Sequence, residues 1–123
     1  MKIGELTLGD FVSTNGKPVK VSAMYSAGIH YQDGDSTTFA SSETLEGILI
    51  TEDFLEKNDF KKGEHAYVMT WCENYYVAAT KIKDNLWTIH FQGDSANIDG
   101  GFRYVHELQN ALKVCEIGKK IVL

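Results

Sequence analysis

At 123 residues, with 43% hydrophobic and 24% charged side chains and a single proline, the chain can bury one substantial core and is too ordinary in composition for a disordered or fibrous protein. Its net charge of −5 comes without a basic stripe, which disfavours sequence-independent nucleic-acid binding, because displacing condensed counterions takes clustered Lys and Arg. Residues 1–29 carry +1, residues 30–64 carry −6 from three Lys and nine acids, and residues 65–123 balance, so the acidic excess sits mid-chain, as a solvated face or a surface for a basic partner.

The N-terminal stretch from Met1 to Leu8 lacks the apolar run of a signal peptide, and no segment approaches the roughly 18 apolar residues of a membrane span. The expectation is a soluble, cytoplasmic protein with no membrane partner. Cys72 and Cys115 lie in separate apolar patterns and are expected to be reduced and buried, not bridged.

In chain order, Leu8-Gly9-Asp10-Phe11-Val12 leads into Asn15-Gly16, the strongest short hairpin signal because both residues accept positive φ. Val19 to Met24 alternates apolar and polar residues, placing Val19, Val21 and Ala23 on one face. A second hairpin joins Gly28–Gln32 to Thr37–Phe39 through Asp33-Gly34-Asp35-Ser36. Leu45–Ile50 reads as a short strand or extended segment, and Thr51 as the N-cap of a helix running through Asn58, with Glu52 and Asp53 against the positive end of its dipole. Phe54 and Leu55 should face inward, with Phe60 packing just beyond the helix end.

Strands resume at Tyr67–Glu73, Tyr75–Ile82 and Leu86–Phe91, with Glu73-Asn74 and Asp84-Asn85 as turns, giving a three-stranded meander. Residues 93–101 read as a polar loop with three glycines. The following helix gathers Tyr104, Val105, Leu108, Ala111, Leu112 and Cys115 on one arc, with His106, Gln109, Asn110 and Lys113 opposite. It is expected to cover the meander with its apolar arc and to show its polar arc to solvent, with Gly118 as C-cap. Residues 121–123 are expected either to add an edge strand or to fray.

Chemical motifs are sparse. His106-Glu107-Leu108-Gln109-Asn110 approaches the zinc-protease helix H-E-x-x-H, but Asn110 occupies the second ligand position and an amide binds zinc poorly, so no metal or other cofactor is predicted. Asp33-Gly34-Asp35 begins like a calcium loop, yet the twelfth position holds Thr44 instead of glutamate, and a turn is the better reading. Gly100-Gly101 lacks the pattern of a phosphate cradle. No catalytic residue is assigned. Among Trp71, Tyr75, Tyr76, Trp87 and Tyr104, the adjacent Tyr75 and Tyr76 cannot both point inward on one strand, so Tyr75 joins His106, Gln109 and Asn110 as a predicted partner-binding set.

The Tyr104-Val105-His106-Glu107-Leu108-Gln109-Asn110 helix, together with the segment from Leu49 to Phe60, resembles a family of small uncharacterised proteins from anaerobic gut bacteria and their phages. The resemblance spans nearly the whole chain. In that family's pattern Ile50 stands where leucine is usual and Asp59 where glycine is usual, and Lys113–Gly118 departs from the usual Phe-Ala-Leu-Thr-Gly. The resemblance implies a fold and a phage or mobile-element origin, with no established activity.

The N-terminal half is more loosely similar to small SH3-like barrels. The expected fold is α+β and strand-dominated, a single domain with an SH3-like barrel or barrel-like lobe over about residues 1–62 and a meander with its helix over about 63–123. The expected function is a non-catalytic binding or accessory protein with a protein partner, a homo-oligomer being left open. The alternative is a small hydrolase or nuclease using dispersed His and acidic residues.

Overall fold

A computed structural model describes residues 1–72, 75–92 and 97–123. The fold is α+β and strand-dominated, with a helix near the C-terminus, and divides into two compact units: residues 1–48 with 104–110, and residues 49–103 with 111–123.

In the first unit, β1 (Phe11–Thr14) turns through Asn15-Gly16 into β2 (Lys17–Lys20). The turn residues hold φ 50° and 80°, the pair of positive angles a two-residue hairpin loop requires. The short β6 (Leu45–Glu46) pairs with the other edge of β1, completing a sheet in the order β2-β1-β6. A second sheet, in the order β3-β4-β5, is built from β3 (Ala23–Tyr25), β4 (Gly28–Asp33) and β5 (Ser36–Ser41).

Val21 and Ser22 carry the chain from one sheet to the other. Val21 exchanges backbone hydrogen bonds with Gly9 and Asp10, while the Ser22 N–H donates to the His30 carbonyl. Such a crossing strand is how stacked sheets turn a corner. The continuous alternation expected over Val19–Met24 is therefore divided between two sheets. The SH3-like barrel is not formed as a closed structure among the described residues, since strand pairing leaves two three-stranded sheets. Leu6, Val12, Val19, Val21, Ile29, Tyr31, Ala40 and Leu45 make one core cluster in this unit.

In the second unit, Thr51 Oγ accepts the Phe54 N–H at 3.1 Å and starts α1 (Glu52–Lys57), as its capping chemistry predicts. Phe54, Leu55 and Phe60 are buried. A five-stranded antiparallel sheet in the order β11-β10-β9-β8-β7 follows, comprising β7 (Lys61–Lys62), β8 (Tyr67–Cys72), β9 (Tyr75–Lys83), β10 (Leu86–Gln92) and β11 (Asn97–Phe102). The expected meander is its centre. Residues 97–101, expected as loop, instead pair with β10, which corrects that reading: the free edge of β10 takes a partner strand despite its Asn, Asp and Gly content. The Glu73-Asn74 turn and the expected loop at 93–96 lie outside the described residues. One face of the sheet buries Tyr67, Met69, Val77, Ala79, Trp87, Ile89 and Phe91 by strict alternation.

The C-terminal helix α2 (Val105–Val114) serves both units, residues 105–110 grouping with the first and residues 111–114 with the second. The expected cap at Gly118 is corrected. Glu116 adopts φ 57°, its N–H donates to the Lys113 carbonyl at 3.1 Å, and the Ile117 N–H donates to the Leu112 carbonyl at 2.9 Å. These two bonds define a Schellman ending centred on Glu116, closed by the buried pair Leu112 and Ile117. No described helix is long and apolar enough to cross a membrane.

Candidate functional site

The polar arc of α2, expected in solvent, is instead interior at His106 and Gln109 and exposed only at Lys113. His106 is 2% exposed and Gln109 8% exposed, and Asn110 is half-buried. Gln109 accepts the Phe11 N–H at 2.8 Å and donates to the Gly9 carbonyl at 3.1 Å. Asn110 accepts the Thr7 hydroxyl at 2.8 Å and donates to the Glu5 carbonyl at 3.1 Å. The two adjacent amides therefore clasp residues 5–11, a stretch with few regular strand partners of its own. A primary amide offers one acceptor and two donors and can replace a neighbouring strand for a peptide group.

Glu107 reaches back to accept the Tyr104 N–H at 2.9 Å, the glutamate half of a capping box. The His106 ring stacks on Tyr104 at 5.7 Å between centroids and 8° between planes, and its buried Nδ1 has no hydrogen-bond partner among the described residues. The accessibility expected of His106 and Gln109 is thus corrected: Gln109 is drawn inward by the Phe11 and Gly9 backbone groups it satisfies and His106 is buried against Tyr104, while Asn110 stays half-buried. Tyr75, at the start of β9, is half-buried. It belongs to the second unit and the α2 amides to the first, so the predicted set does not fall within one unit.

The zinc-like motif gives no ligand set, because the Asn110 amide is engaged at both ends. Among the described residues, no group of three or more His, Cys, Asp and Glu side chains could hold a metal ion. Asp33, part of the calcium-like turn, pairs with Lys17 at 3.0 Å. Cys115 is half-buried, and its partial burial pushes the thiol above its ordinary pKa, away from the thiolate that nucleophilic chemistry needs. The Cys72 side chain lies outside the described residues.

A cleft of about 200 Å³ in the second unit is lined by Glu52, Gly63, His65, Tyr67, Lys81 and Trp87, among others. Burial raises the Tyr67 hydroxyl pKa, reinforced by the carboxylates of Glu52, Glu56 and Asp53. The indole of Trp87 is already committed, donating to the Ile50 carbonyl at 3.1 Å, and its ring is 2% exposed. The Trp87 wall of the cleft is therefore structural.

The outer face of the β3-β4-β5 sheet differs from both. The two-residue turn Gly34-Asp35 sets the register His30↔Phe39 and Gln32↔Thr37, and β3 places Tyr25 opposite Gly28. Residues opposite one another share a face, so Tyr25, His30 and Phe39 converge on the solvent side while Ile29, Tyr31 and Ala40 point to the core. Tyr25 is 48% exposed and Phe39 49%, unusual for rings of this size.

The three rings brace one another. Tyr25 and His30 centroids lie 4.7 Å apart with the hydroxyl hydrogen-bonded to Nδ1 at 3.2 Å, and Phe39 lies 6.0 Å from His30 and 6.5 Å from Tyr25. Gly28 makes room for Phe39, since a Cβ there would stand 2.7 Å from its ring and 2.1 Å from the Ala40 carbonyl oxygen. Composition does not single out this surface, because aromatic residues are denser after residue 66. Its signal was the pairing of two alternating strands across a two-residue turn, which puts His30 opposite Phe39. No family profile, curated protein or solved structure matches this chain.

Proposed function

We propose that the protein is a non-catalytic binding module that docks a protein partner on the Tyr25, His30 and Phe39 face. The observation that carries this reading is a contiguous, solvent-facing aromatic cluster whose rings contact one another across paired strands. Large exposed rings that are already ordered lose little conformational entropy on binding and serve as anchors at interfaces. The resemblance noted for the α2 helix supports an accessory role of phage or mobile-element origin in the cytoplasm. In that reading the shared helix residues maintain the fold, and docking is left to the sheet.

The test is site-directed photocrosslinking in host lysate. A crosslinker at Thr37, exposed on the same face, should give one discrete adduct, lost when Tyr25 and Phe39 are replaced by alanine. The same crosslinker at exposed Lys81 in the second unit should give none. Equal, diffuse labelling from both positions would overturn the reading.

A further inference from the structure

From Val21 to Glu56 the chain contains no Lys or Arg and seven acidic residues. The whole β3-β4-β5 sheet lies inside this stretch. Exposed Asp33 and Asp35 stand at the β4–β5 turn, and exposed Glu43 follows the far end of β5, so carboxylates flank the aromatic face along the chain at both ends of the hairpin. Among the described residues, Lys17 reaches the hairpin from outside it and pairs with Asp33 at 3.0 Å, and the Met1 amino group donates to the carbonyl of Ser42, just beyond β5, at 3.2 Å. The first unit as a whole carries seven acids against three Lys, a formal −4.

Resting on the docking reading above, we infer that the occupant of this face is a basic protein segment whose arginine stacks on the Tyr25, His30 and Phe39 rings while neighbouring cations meet Asp35 and Glu43. The π-faces of Tyr and Phe attract a cation, and a planar guanidinium is weakly hydrated and stacks on rings more readily than an ammonium. The carboxylates add long-range attraction that steers a basic chain and repels an acidic one. A single-stranded nucleic acid also stacks on aromatic platforms, but needs a cationic groove for its phosphates, which this lysine- and arginine-free sheet does not offer. The ring packing supports an anchor surface more than a closed cage, because centroids 4.7 to 6.5 Å apart leave no space for a cation between the rings.

The full chain, labelled with nitrogen-15, is titrated with length-matched Gly-Ser peptides bearing arginines, lysines, glutamates or no charge, and separately with oligo-dT. The arginine peptide should shift the amides of residues 23–41, bind more tightly than the lysine peptide, and weaken as salt rises. Phe39→Ala should reduce its affinity roughly tenfold, the loss expected of an interface anchor. Phe39→Leu keeps the apolar bulk without the π-face and serves if the alanine variant unfolds. Charge reversal by Asp35→Lys with Glu43→Lys should weaken binding and flatten its salt dependence. Binding of the glutamate peptide, the uncharged peptide or oligo-dT as tight as that of the arginine peptide overturns the inference, as does indifference to the charge reversal. If the arginine peptide fails while the Thr37 crosslink still depends on Tyr25 and Phe39, the basic occupant is wrong and the docking face stands. If both fail, both readings fall.

Discussion

Glu116 and Asp59 hold φ at 57° and 70°, angles that glycine adopts freely and that cost other residues about 1 kcal/mol. Each ends a helix in the same way. At Asp59 the N–H donates to Glu56 and the next N–H, of Phe60, to Leu55, with Leu55 and Phe60 both buried. Asp59 gains some return through its salt bridge to Lys119, whereas among the described residues no such contact accompanies Glu116. Glu116→Gly should therefore stabilise the protein slightly, by up to about 0.5 kcal/mol after the added freedom of the unfolded chain is deducted, and Asp59→Gly by less. Urea midpoints of the two variants decide it, and destabilisation by Glu116→Gly would contradict the argument. Gly47 presents the opposite case. Its Cβ would lie 2.4 Å from the Tyr104 ring, so Gly47→Ala should cost about 1–3 kcal/mol by overpacking, read from the same midpoints.

At the scale of elements, periodicity placed the apolar side of α2 correctly at Val105, Leu108 and Leu112 but misread its polar side. A helical wheel sorts side chains by polarity. It cannot know that Gly9 and Phe11, far away in sequence, present backbone groups in need of partners. Truncating Leu108 should cost about 2–5 kcal/mol. Gln109→Ala should fall in the same range instead of the few tenths usual at surfaces, because it strands the Phe11 N–H and the Gly9 carbonyl at about 1–3 kcal/mol each. Chemical denaturation of the two variants side by side tests this, and a near-neutral Gln109→Ala would return the residue to the list of interaction candidates. Features governed by local chemistry were legible: the Asn15-Gly16 hairpin, the Thr51 cap and the alternation of β8 to β10. Strand β11 was not, because its Asn-Ile-Asp-Gly-Gly run has little intrinsic strand preference and pairs only because β10 offers an edge. The aromatic face was legible only in part, since each ring looks unremarkable until the register brings the three together.

Over the whole molecule, neither unit is a continuous piece of chain. The first needs residues 104–110 and the second needs residues 111–123, so one helix supplies both. The chain end is tied down by the same device as the N-terminal segment. Buried Asn58 donates to the Phe54 and Val122 carbonyls at 2.9 and 2.8 Å and accepts the Val122 N–H at 2.8 Å, which holds the tail expected to pair as a strand or fray. A helix is cooperative along its length, so loss of its first turns weakens the last ones. Gln109→Ala acts in the first unit, yet both tryptophans, Trp71 and Trp87, lie in the second. The variant should therefore lower the tryptophan-fluorescence melting midpoint together with the circular-dichroism midpoint, by roughly 5–10 °C for a loss near 2 kcal/mol in a chain of this size. Coincident midpoints from both probes would mark one cooperative transition. A new early transition in circular dichroism with an unmoved fluorescence midpoint would show that the units unfold independently and that the shared helix does not couple them.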